Sequence, residues 1–211
     1  MAIKNCPRFR YLTSTSSHLL RIVTMRPAFN RYLKSRFTGA TIMAPPLVLK
    51  IDGYIGAGYI GAVFYATETS SGRPFAVKIF KKTPYWRQEA TLHRFVSAHP
   101  NIITLHTTTE YGDFGLLILE YCDGPDLHRF IHHSHAFAGD TTAIKRTFLQ
   151  IIDAVQFCHQ NTVYHRDLKL ENVLYDSRTG EVFLTDFGVA TDRGWSTDRA
   201  GTVRSMSPGE F

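Results

Sequence analysis

Residues 165–172 have the sequence HRDLKLEN, and residues 186–188 have the sequence DFG. The first stretch contains a carboxylate, Asp167, and an amide, Asn172, five positions later. The second begins with another carboxylate, Asp186, fourteen positions after Asn172. Carboxylate and amide oxygens are ligands that Mg²⁺ prefers, and a further carboxylate can accept a proton. These two stretches therefore predict a site that holds metal ions and removes a proton.

Phosphoryl transfer needs this combination of groups. The transferred group spreads negative charge over its oxygens, so catalysis depends on positioning, divalent cations and a carboxylate that accepts the hydroxyl proton. We predict that Asp167 is this base and that Asn172 and Asp186 are the metal ligands. Lys169 lies between base and ligand in sequence, where it can neutralise charge on the γ-phosphate. The alternative is a charged loop beside an unrelated turn, a coincidence expected on the order of once in ten thousand such chains.

The two stretches resemble the catalytic and metal-binding loops of eukaryotic-type protein kinases. This resemblance implies a glycine-rich loop, a strand lysine and a helix glutamate upstream, in that order. Residues 55–63 have the sequence IGAGYIGAV, which matches the glycine-rich pattern. Lys78 follows within the apolar run of residues 75–80, and Glu89 is the only acidic residue between Lys78 and Glu110. All three elements are therefore present, and the resemblance runs from about residue 51 to residue 208.

The glycine pattern alone also occurs in dinucleotide-binding folds, where a helix follows it. Here residues 61–67 are rich in β-branched and aromatic side chains, which predicts a strand instead. Turn-forming residues at 69–74 then predict a second strand over residues 75–80. An edge strand that directs Lys78 to solvent is the remaining alternative for this lysine. The resemblance implies that Lys78 holds the α- and β-phosphates and pairs with Glu89.

The spacing between Lys78 and Glu89 departs from the kinase pattern. Kinases usually place more than these eleven positions between the two residues, so we expect the helix that carries Glu89 to lack its first turns. Two outcomes remain open. The short connection holds the helix inward, or a deletion leaves the ion pair unformed.

The resemblance also implies a nucleotide site at the hinge between two lobes, with ATP as co-substrate and Mg²⁺ as cofactor. Leu119 corresponds to the gatekeeper, backbone groups of Glu120 and Cys122 meet the adenine edge, and Asp126 approaches the ribose hydroxyls. Apolar residues that would enclose the purine, or serve as ordinary core residues, are Val63, Ala76 and Leu174. The remaining predicted nucleotide-binding residues are Ile55, Gly56, Gly58, Gly61 and Lys78.

The implied fold is α+β and two-lobed. A small β-rich N-lobe with the hinge is expected at residues 46–122, and a partial helical C-lobe at residues 123–211. Apolar spacing predicts a helix from Asp140 to Asn161, and a hairpin over residues 172–185 is predicted to carry both metal ligands. Because the larger lobe of kinases continues with further helices, we expect a C-terminally truncated chain whose predicted helix exposes apolar surface.

The acceptor class follows from the same resemblance. Lys169 and Thr202, the latter as a catalytic-site residue, resemble serine/threonine kinases, so we expect ATP-dependent transfer to serine or threonine hydroxyls of protein substrates. Residues 96–102, 196–198 and 206–208, together with His93, are similar to fungal nutrient-sensing and meiosis-inhibiting kinases. Residues 196–198 are interpreted either as a regulatory phosphorylation segment that pairs with the catalytic loop or as a polar loop.

Two other functions remain open. The first keeps the fold without turnover, as a catalytically impaired ATP-binding fragment that acts as a decoy or is a non-functional gene product. The second is a small-molecule phosphotransferase of the aminoglycoside or choline kinase type. Such enzymes typically lack the glycine-rich pattern and the arrangement around Lys169, which favours the protein kinase interpretation. The sequence does not indicate an oligomeric state.

Residues 1–45 differ from the remainder in charge. The first 51 residues hold nine Lys or Arg and no Asp or Glu. Residues from Asp52 onward carry fifteen basic against eighteen acidic side chains, a net charge of −3, although the whole chain is +6. The charge distribution therefore argues against nucleic-acid binding. We expect a disordered basic leader, with two alternatives: a mitochondrial transit peptide, or sequence upstream of a true start at Met43.

Cysteine and hydropathy patterns concern the compartment. Three cysteines without paired metal spacing favour a reducing environment, hence the cytoplasm or nucleus. No apolar stretch reaches the ~20 residues needed to span a bilayer, so no membrane association is expected. His128 and His132 are spaced to share a helix face and bind Zn²⁺, but a solvated helix is the favoured interpretation because no Cys or acidic residue nearby completes a site.

Overall fold

The computed structural model describes residues 17–57, 61–134 and 137–194, which form a six-stranded sheet, a hairpin and four α-helices. The strands of the sheet are β1 (Thr41–Ala44), β2 (Leu47–Ala57), β3 (Gly61–Glu68), β4 (Pro74–Lys81), β5 (Leu105–Tyr111) and β6 (Phe114–Glu120). Their order is β1-β2-β3-β4-β6-β5, and every neighbouring pair is antiparallel. The helices are α1 (Ser17–Phe37), α2 (Pro84–Val96), α3 (Leu127–Ser134) and α4 (Thr141–Gln160). A 3₁₀ turn (Leu170–Asn172) then leads into the hairpin of β7 (Val173–Asp176) and β8 (Glu181–Leu184).

The six-stranded sheet curls until its two edge strands meet. The Thr109 hydroxyl on β5 donates a hydrogen bond of 3.0 Å to the carbonyl oxygen of Met43 on β1. Successive residues of a strand face opposite sides, so one set of apolar side chains fills the inside of the curl. This set includes Ile42, Leu49, Ile51, Phe64, Ala66, Phe75, Val77, Ile79, Leu116 and Ile118. Full burial of each large member contributes about 1.5–3 kcal/mol to stability.

Composition predicted a disordered leader over residues 1–45, but the described part of this segment forms a helix and a strand. Helix α1 occupies residues 17–37, and its side chains Leu33 and Phe37 are fully buried in the core of the curled sheet. The basic side chains of this helix end, Arg31, Lys34 and Arg36, are exposed. Composition was misleading because the apolar residues lie one turn apart on a single helix face, while the charges occupy the other face. Residues 1–16 lie outside the described residues.

Helix α2 packs on the outer face of the sheet. Its Trp86 and Ala90 join an apolar cluster with Phe80, Ile103, Leu105, Leu117 and Leu119. Gly115 on β6 permits this packing, because a Cβ at this position would lie 2.8 Å from the Trp86 ring. The helix that carries Glu89 is thereby held against strand β4, which carries Lys78.

The second group of elements is built on α4. Asp140 caps this helix by accepting a hydrogen bond of 2.9 Å from the Ala143 amide. Ala154 and Cys158 on the inner face of α4 pack with the β7–β8 hairpin. The predicted helix and hairpin are both confirmed, and so is the two-lobed α+β arrangement. In the described part of the chain, no helix is both long and apolar enough to cross a membrane.

The loop after α2 joins the two lobes. Leu92, Val96 and Ile102 share the core of the second lobe, although they belong to α2 and the segment that follows it. The Asn101 side-chain amide donates hydrogen bonds to Gln150 on α4 at 2.8 Å and to the Val182 carbonyl at 2.9 Å. The position of α2 therefore depends on both lobes.

The outer face of α4 exposes apolar side chains, as the sequence predicted. Phe148 is 60 % exposed, and Ile144, Leu149 and Ile152 are also exposed. With Leu168 of the loop beyond α4, this face borders an open groove of about 660 Å³. The predicted apolar surface is therefore confirmed.

Gly61 at the start of β3 is required by packing, which gives a first testable prediction. A Cβ at Gly61 would lie 2.3 Å from the Ile79 carbonyl oxygen, whereas one at Gly56 would meet no atom of the described residues within 4 Å. We expect Gly61→Ala to lower the free energy of unfolding by about 1–3 kcal/mol, because β3 must move away from β4. Gly56→Ala is the matched control and should stay within about 1 kcal/mol. Urea denaturation measures both, and equal losses would contradict the packing argument.

Candidate active site

Lys78 lies at the centre of the candidate site, between two carboxylates. Its ammonium pairs with Glu89 on α2 and, at 2.7 Å, with Asp186 just beyond β8. Lys78 is 6 % exposed and Glu89 is 3 % exposed. The ammonium therefore joins the sheet, a helix and the loop that begins at Asp186. An edge strand that directs Lys78 to solvent is excluded, since β4 is a central strand.

The charges of Lys78, Glu89 and Asp186 compensate one another. Burial acts to lower the pKa of the Lys78 ammonium, but the charges of Asp186 and Glu89 outweigh burial and raise this pKa above its ordinary value. The same ammonium lowers the pKa of Asp186 to about 2, against the effect of burial. Burial raises the pKa of Glu89 above its ordinary value, and the Lys78 charge opposes this rise. Lys78 and Asp186 are thus fixed in their charged forms at neutral pH.

The short connection between Lys78 and Glu89 holds the helix inward. Helix α2 begins at Pro84, three residues after β4 ends, and Glu89 lies in its second turn. Of the two outcomes left open by the eleven-residue spacing, the formed pair is observed. Among the described residues, the second carboxylate oxygen of Glu89 is buried without a hydrogen-bond partner.

The loop after α4 places a second group of polar side chains together. The Lys169 ammonium donates to a carboxylate oxygen of Asp167 at 2.7 Å. The Asn172 side-chain nitrogen donates to the same carboxylate at 3.0 Å and to the Asp167 carbonyl at 2.9 Å. Residues 167, 169 and 172 therefore lie in direct contact. Because the Asn172 side-chain nitrogen donates these two hydrogen bonds, the amide oxygen is the atom of Asn172 that can ligate a cation.

The β7–β8 hairpin brings Asp186 beside this loop. Asn172 directly precedes β7, and its carbonyl accepts a hydrogen bond of 3.0 Å from the Thr185 amide. Asp186 itself has φ of +66°, a left-handed conformation that is costly for residues with a Cβ. This backbone conformation directs Asp186 to Lys78. Two oxygen donors of the kind that Mg²⁺ prefers, Asn172 and Asp186, thus sit at neighbouring strand ends and are the candidate ligands of a cation.

Two histidines enclose the ring of Phe187. The His93 ring on α2 lies 4.6 Å from the Phe187 ring, and the His165 ring lies 4.8 Å from it on the catalytic-loop side. His93 Nε2 donates to the Ile103 carbonyl at 2.6 Å, and His165 Nε2 donates to the Thr185 carbonyl at 2.9 Å. These ring contacts connect α2 to the segment that carries Asp186.

Residues predicted to contact the adenine base lie on both lobes. Ala76 on β4, Cys122 and Leu174 on β7 all border the apolar cluster that contains Leu119. Val63 pairs with Lys78 across β3 and β4. The Cys122 thiol is half-buried, and burial raises its pKa to about 11, so it is protonated.

Other predicted nucleotide-binding residues are placed around this cluster. The Glu120 amide bonds to the Thr104 carbonyl at 2.9 Å, which fixes the last residue of β6. The Asp126 carboxylate accepts from the Arg129 amide at 2.8 Å at the start of α3. Ile55 and Gly56 lie just before the last residue of β2, Ala57, and Ile55 is exposed.

Comparison with known proteins assigns the family. Residues 49–209 match the protein kinase domain family. The chain belongs to the protein kinase family. The predicted resemblance to protein kinases is therefore confirmed. The matched region contains Lys78, the loop at residues 165–172 and the glycine-rich residues 55–63 of the β2–β3 hairpin, which we call the glycine-rich hairpin.

Several curated relatives are similar to this kinase chain. A protein named "Negative regulator of sexual conjugation and meiosis" from Schizosaccharomyces pombe is 39 % identical over 76 % of this chain and 36 % of its own length. "NUAK family SNF1-like kinase 2" from Homo sapiens is 35 % identical over 64 % of this chain and 22 % of its own length. "CBL-interacting protein kinase 8" from Oryza sativa subsp. japonica is 35 % identical over 72 % of this chain and 34 % of its own length. The chain thus spans about a third or less of these relatives.

Some predicted kinase residues lie outside the described residues. They are Gly58 of the glycine-rich loop, Thr202, and the proposed phosphorylation segment at residues 196–198. The histidines proposed as an alternative zinc site, His128 and His132, have their rings 4.4 Å apart on α3. Within residues 17–57, 61–134 and 137–194, no three His, Cys, Asp or Glu side chains are grouped to hold a metal ion.

Sequence reasoning missed the structural role of His93. Its position four residues after Glu89 places both side chains on one face of α2, one helical turn apart. That spacing is a signal that was present in the sequence. The partner ring of Phe187, about ninety positions away, could be known only from the fold.

The buried His93 predicts a pH-dependent stability. Burial lowers its pKa from 6.5 to about 4, so the unfolded chain takes up the proton first as pH falls. The contribution to stability is therefore complete above pH 6.5 and is lost between 6.5 and 4, with a slope of up to about 1.4 kcal/mol per pH unit. His93→Leu should lower stability at pH 7.5 and flatten this decline.

Urea denaturation between pH 7.5 and 4.5 measures the effect. His133→Leu, at an exposed position on α3, is the matched control and should keep the wild-type slope. Parallel pH profiles for wild type and His93→Leu would contradict the assignment.

Proposed function

We propose that this chain is the catalytic region of an ATP-dependent serine/threonine protein kinase, which transfers the γ-phosphate of ATP to hydroxyls of protein substrates. The observation that carries the proposal is the buried Lys78 ammonium between Glu89 and Asp186, with Asp167 and Asn172 on the neighbouring loop. The matched family and the names of the relatives support the same reaction class.

Each side chain has a defined task in this proposal. Lys78 binds oxygens of the α- and β-phosphates, and Glu89 holds its ammonium in place. Asn172 and Asp186 would hold Mg²⁺, which supplies positive charge to the phosphate oxygens when bound. Asp167 accepts the proton of the attacking hydroxyl, and Lys169, already 2.7 Å from Asp167, balances negative charge beside it. Backbone amides of the glycine-rich hairpin cover the phosphates.

The acceptor class and cellular context belong to the same proposal. Lys169 and Thr202 favour serine or threonine acceptors, as the sequence pattern indicated. The net charge of −3 beyond residue 51 supports a protein substrate rather than nucleic acid. We place the protein in the cytoplasm or nucleus, on the basis of its few cysteines.

A second candidate is nucleotide binding without phosphoryl transfer. Leu168 and Leu170 lie in the loop that carries Asp167 and are 42 % and 39 % exposed, and the outer face of α4 is also apolar and exposed. Rapid turnover requires packing that fixes the position of the catalytic base. The exposed side chains Leu168 and Leu170 do not supply such packing beside Asp167. Binding of ATP with no transfer would select this candidate.

The test measures binding and transfer separately. A fluorescent ATP analogue with Mg²⁺ gives the nucleotide Kd, and radiolabelled ATP with a library of Ser and Thr peptides gives the transfer rate. Asp167→Asn should reduce transfer by about 10²–10⁴-fold and leave Kd within about twofold, because the base does not hold the nucleotide. Asp186→Asn should weaken Mg²⁺-dependent binding, because a metal ligand is lost.

Asp113→Asn, on the exposed turn before β6, is the matched control and should leave both quantities unchanged. Absence of Mg²⁺-dependent ATP binding by the wild-type chain would overturn the proposal. Normal transfer by Asp167→Asn would remove the assigned base.

A further inference from the structure

The end of α1 and strand β1 are part of the N-lobe core, although they precede the region that matches the kinase family. That region begins at residue 49. The Gly39 amide donates to the Ile51 carbonyl at 2.8 Å, and the Ile51 amide donates to the Ala40 carbonyl at 2.9 Å. Strand β1 then pairs with β2 from Thr41 to Ala44. The helix end is thus fastened to the strand that leads into the glycine-rich hairpin.

Phe37 packs directly on the second strand of that hairpin. Its ring centroid lies 6.3 Å from Phe64 on β3, 5.4 Å from Phe114 and 5.7 Å from Tyr111. Phe37 is fully buried, and Phe64 is three residues from Gly61, where β3 begins. One aromatic side chain of α1 therefore connects β3 to the β5–β6 turn.

Lys34 contacts the first strand of the hairpin. Its ammonium lies over the Tyr54 ring, 5.4 Å from the centroid, and the Tyr54 ring meets the Phe64 ring edge-on at 5.7 Å. Tyr54 is the residue before Ile55 and Gly56, at the entrance to the glycine-rich loop. Contacts from Lys34 and Phe37 thus converge on the paired aromatic residues at the base of the hairpin.

The hairpin needs such support because its own pairing is irregular. The β2–β3 register shifts between Ile51 and Gly53 and again between Tyr54 and Gly56. Each shift leaves a residue outside the ladder and weakens the local hydrogen bonding. Tyr54 lies between these two irregular points. Side-chain contacts from outside the hairpin therefore carry more of its stability than in a regular ladder.

We propose that the end of α1 positions the glycine-rich hairpin for phosphate binding, with Phe37 and Lys34 as positioning residues. This inference rests on the proposed ATP-dependent function. A hairpin held in one geometry loses less conformational freedom when it binds a nucleotide. Loss of the contacts that Phe37 and Lys34 make with the hairpin therefore lowers nucleotide affinity. A purely structural role would lower global stability without a specific effect on the hairpin.

The test compares matched variants of the full chain. Phe37→Leu is paired with Phe75→Leu. Phe75 is an equally buried aromatic residue of the same core, but it lies at the end of β4 that is farther from Gly61. Lys34→Met is paired with Lys50→Met, an exposed lysine whose ammonium is 3.8 Å from Asp52. Hydrogen exchange is measured at the amides of Gly56, Ala57, Ala62 and Val63, which are paired across β2 and β3. The Kd for MgATP and global stability are measured in parallel.

We expect Phe37→Leu to speed exchange at these four amides about tenfold, and to raise the MgATP Kd about threefold, beyond the effect of Phe75→Leu. Lys34→Met should produce a smaller change of the same kind, about twofold, and Lys50→Met none. Because Lys34 is exposed, its variant decides the question even where Phe37→Leu fails to fold.

Equal hydrogen-exchange rates within each pair of variants, after correction for differences in global stability, would contradict the proposal that α1 supports the hairpin. Faster exchange with an unchanged Kd would overturn its role in nucleotide positioning. A wild-type chain that binds no MgATP would refute the proposed function and the positioning role together, while the exchange comparison would still show whether α1 holds the hairpin.

Discussion

The buried ammonium of Lys78 is the constraint on which the rest of the structure depends. A charge that is 6 % exposed on a central strand is tolerated only with opposite charges beside it. One carboxylate comes from α2 and the other from the segment after β8. Both elements must therefore be in place for Lys78 to remain buried. The candidate site is in this way coupled to the contact between the lobes.

Other packing contacts hold α2 and the segment after β8 in the positions that these ion pairs require. Trp86 seats α2 against the sheet above Gly115, and Asn101 ties the loop after α2 to α4 and β8. The His93 and His165 rings enclose Phe187, next to Asp186. The left-handed backbone at Asp186, which is costly in isolation, is stabilised by this packing and by the ion pair.

Local sequence patterns predicted most elements that carry the site. The two strands that follow the glycine-rich loop, the helix capped by Asp140 and the β7–β8 hairpin were all expected, because their apolar patterns and turn residues were clear. The prediction of a disordered leader was wrong for the described residues of α1, because composition averages over a helix whose two faces differ. Leu33 is buried on one face and Lys34 is exposed on the other. The Lys78–Glu89 pair stayed open because the sequence gives spacing and not the path of the connection. Contacts such as His93 with Phe187 depend on tertiary packing, which no local pattern encodes.

A double-mutant cycle tests the central claim most directly. Lys78→Met, Asp186→Asn and the double variant are compared with wild type by urea denaturation at pH 7.5, without nucleotide. If the ammonium and the carboxylate stabilise each other, Lys78→Met removes the cation beside Asp186, and Asp186→Asn removes one of the two carboxylates beside the ammonium. The coupling free energy between the two positions should then be at least about 1 kcal/mol. Additive losses, within about 0.5 kcal/mol, would contradict the account.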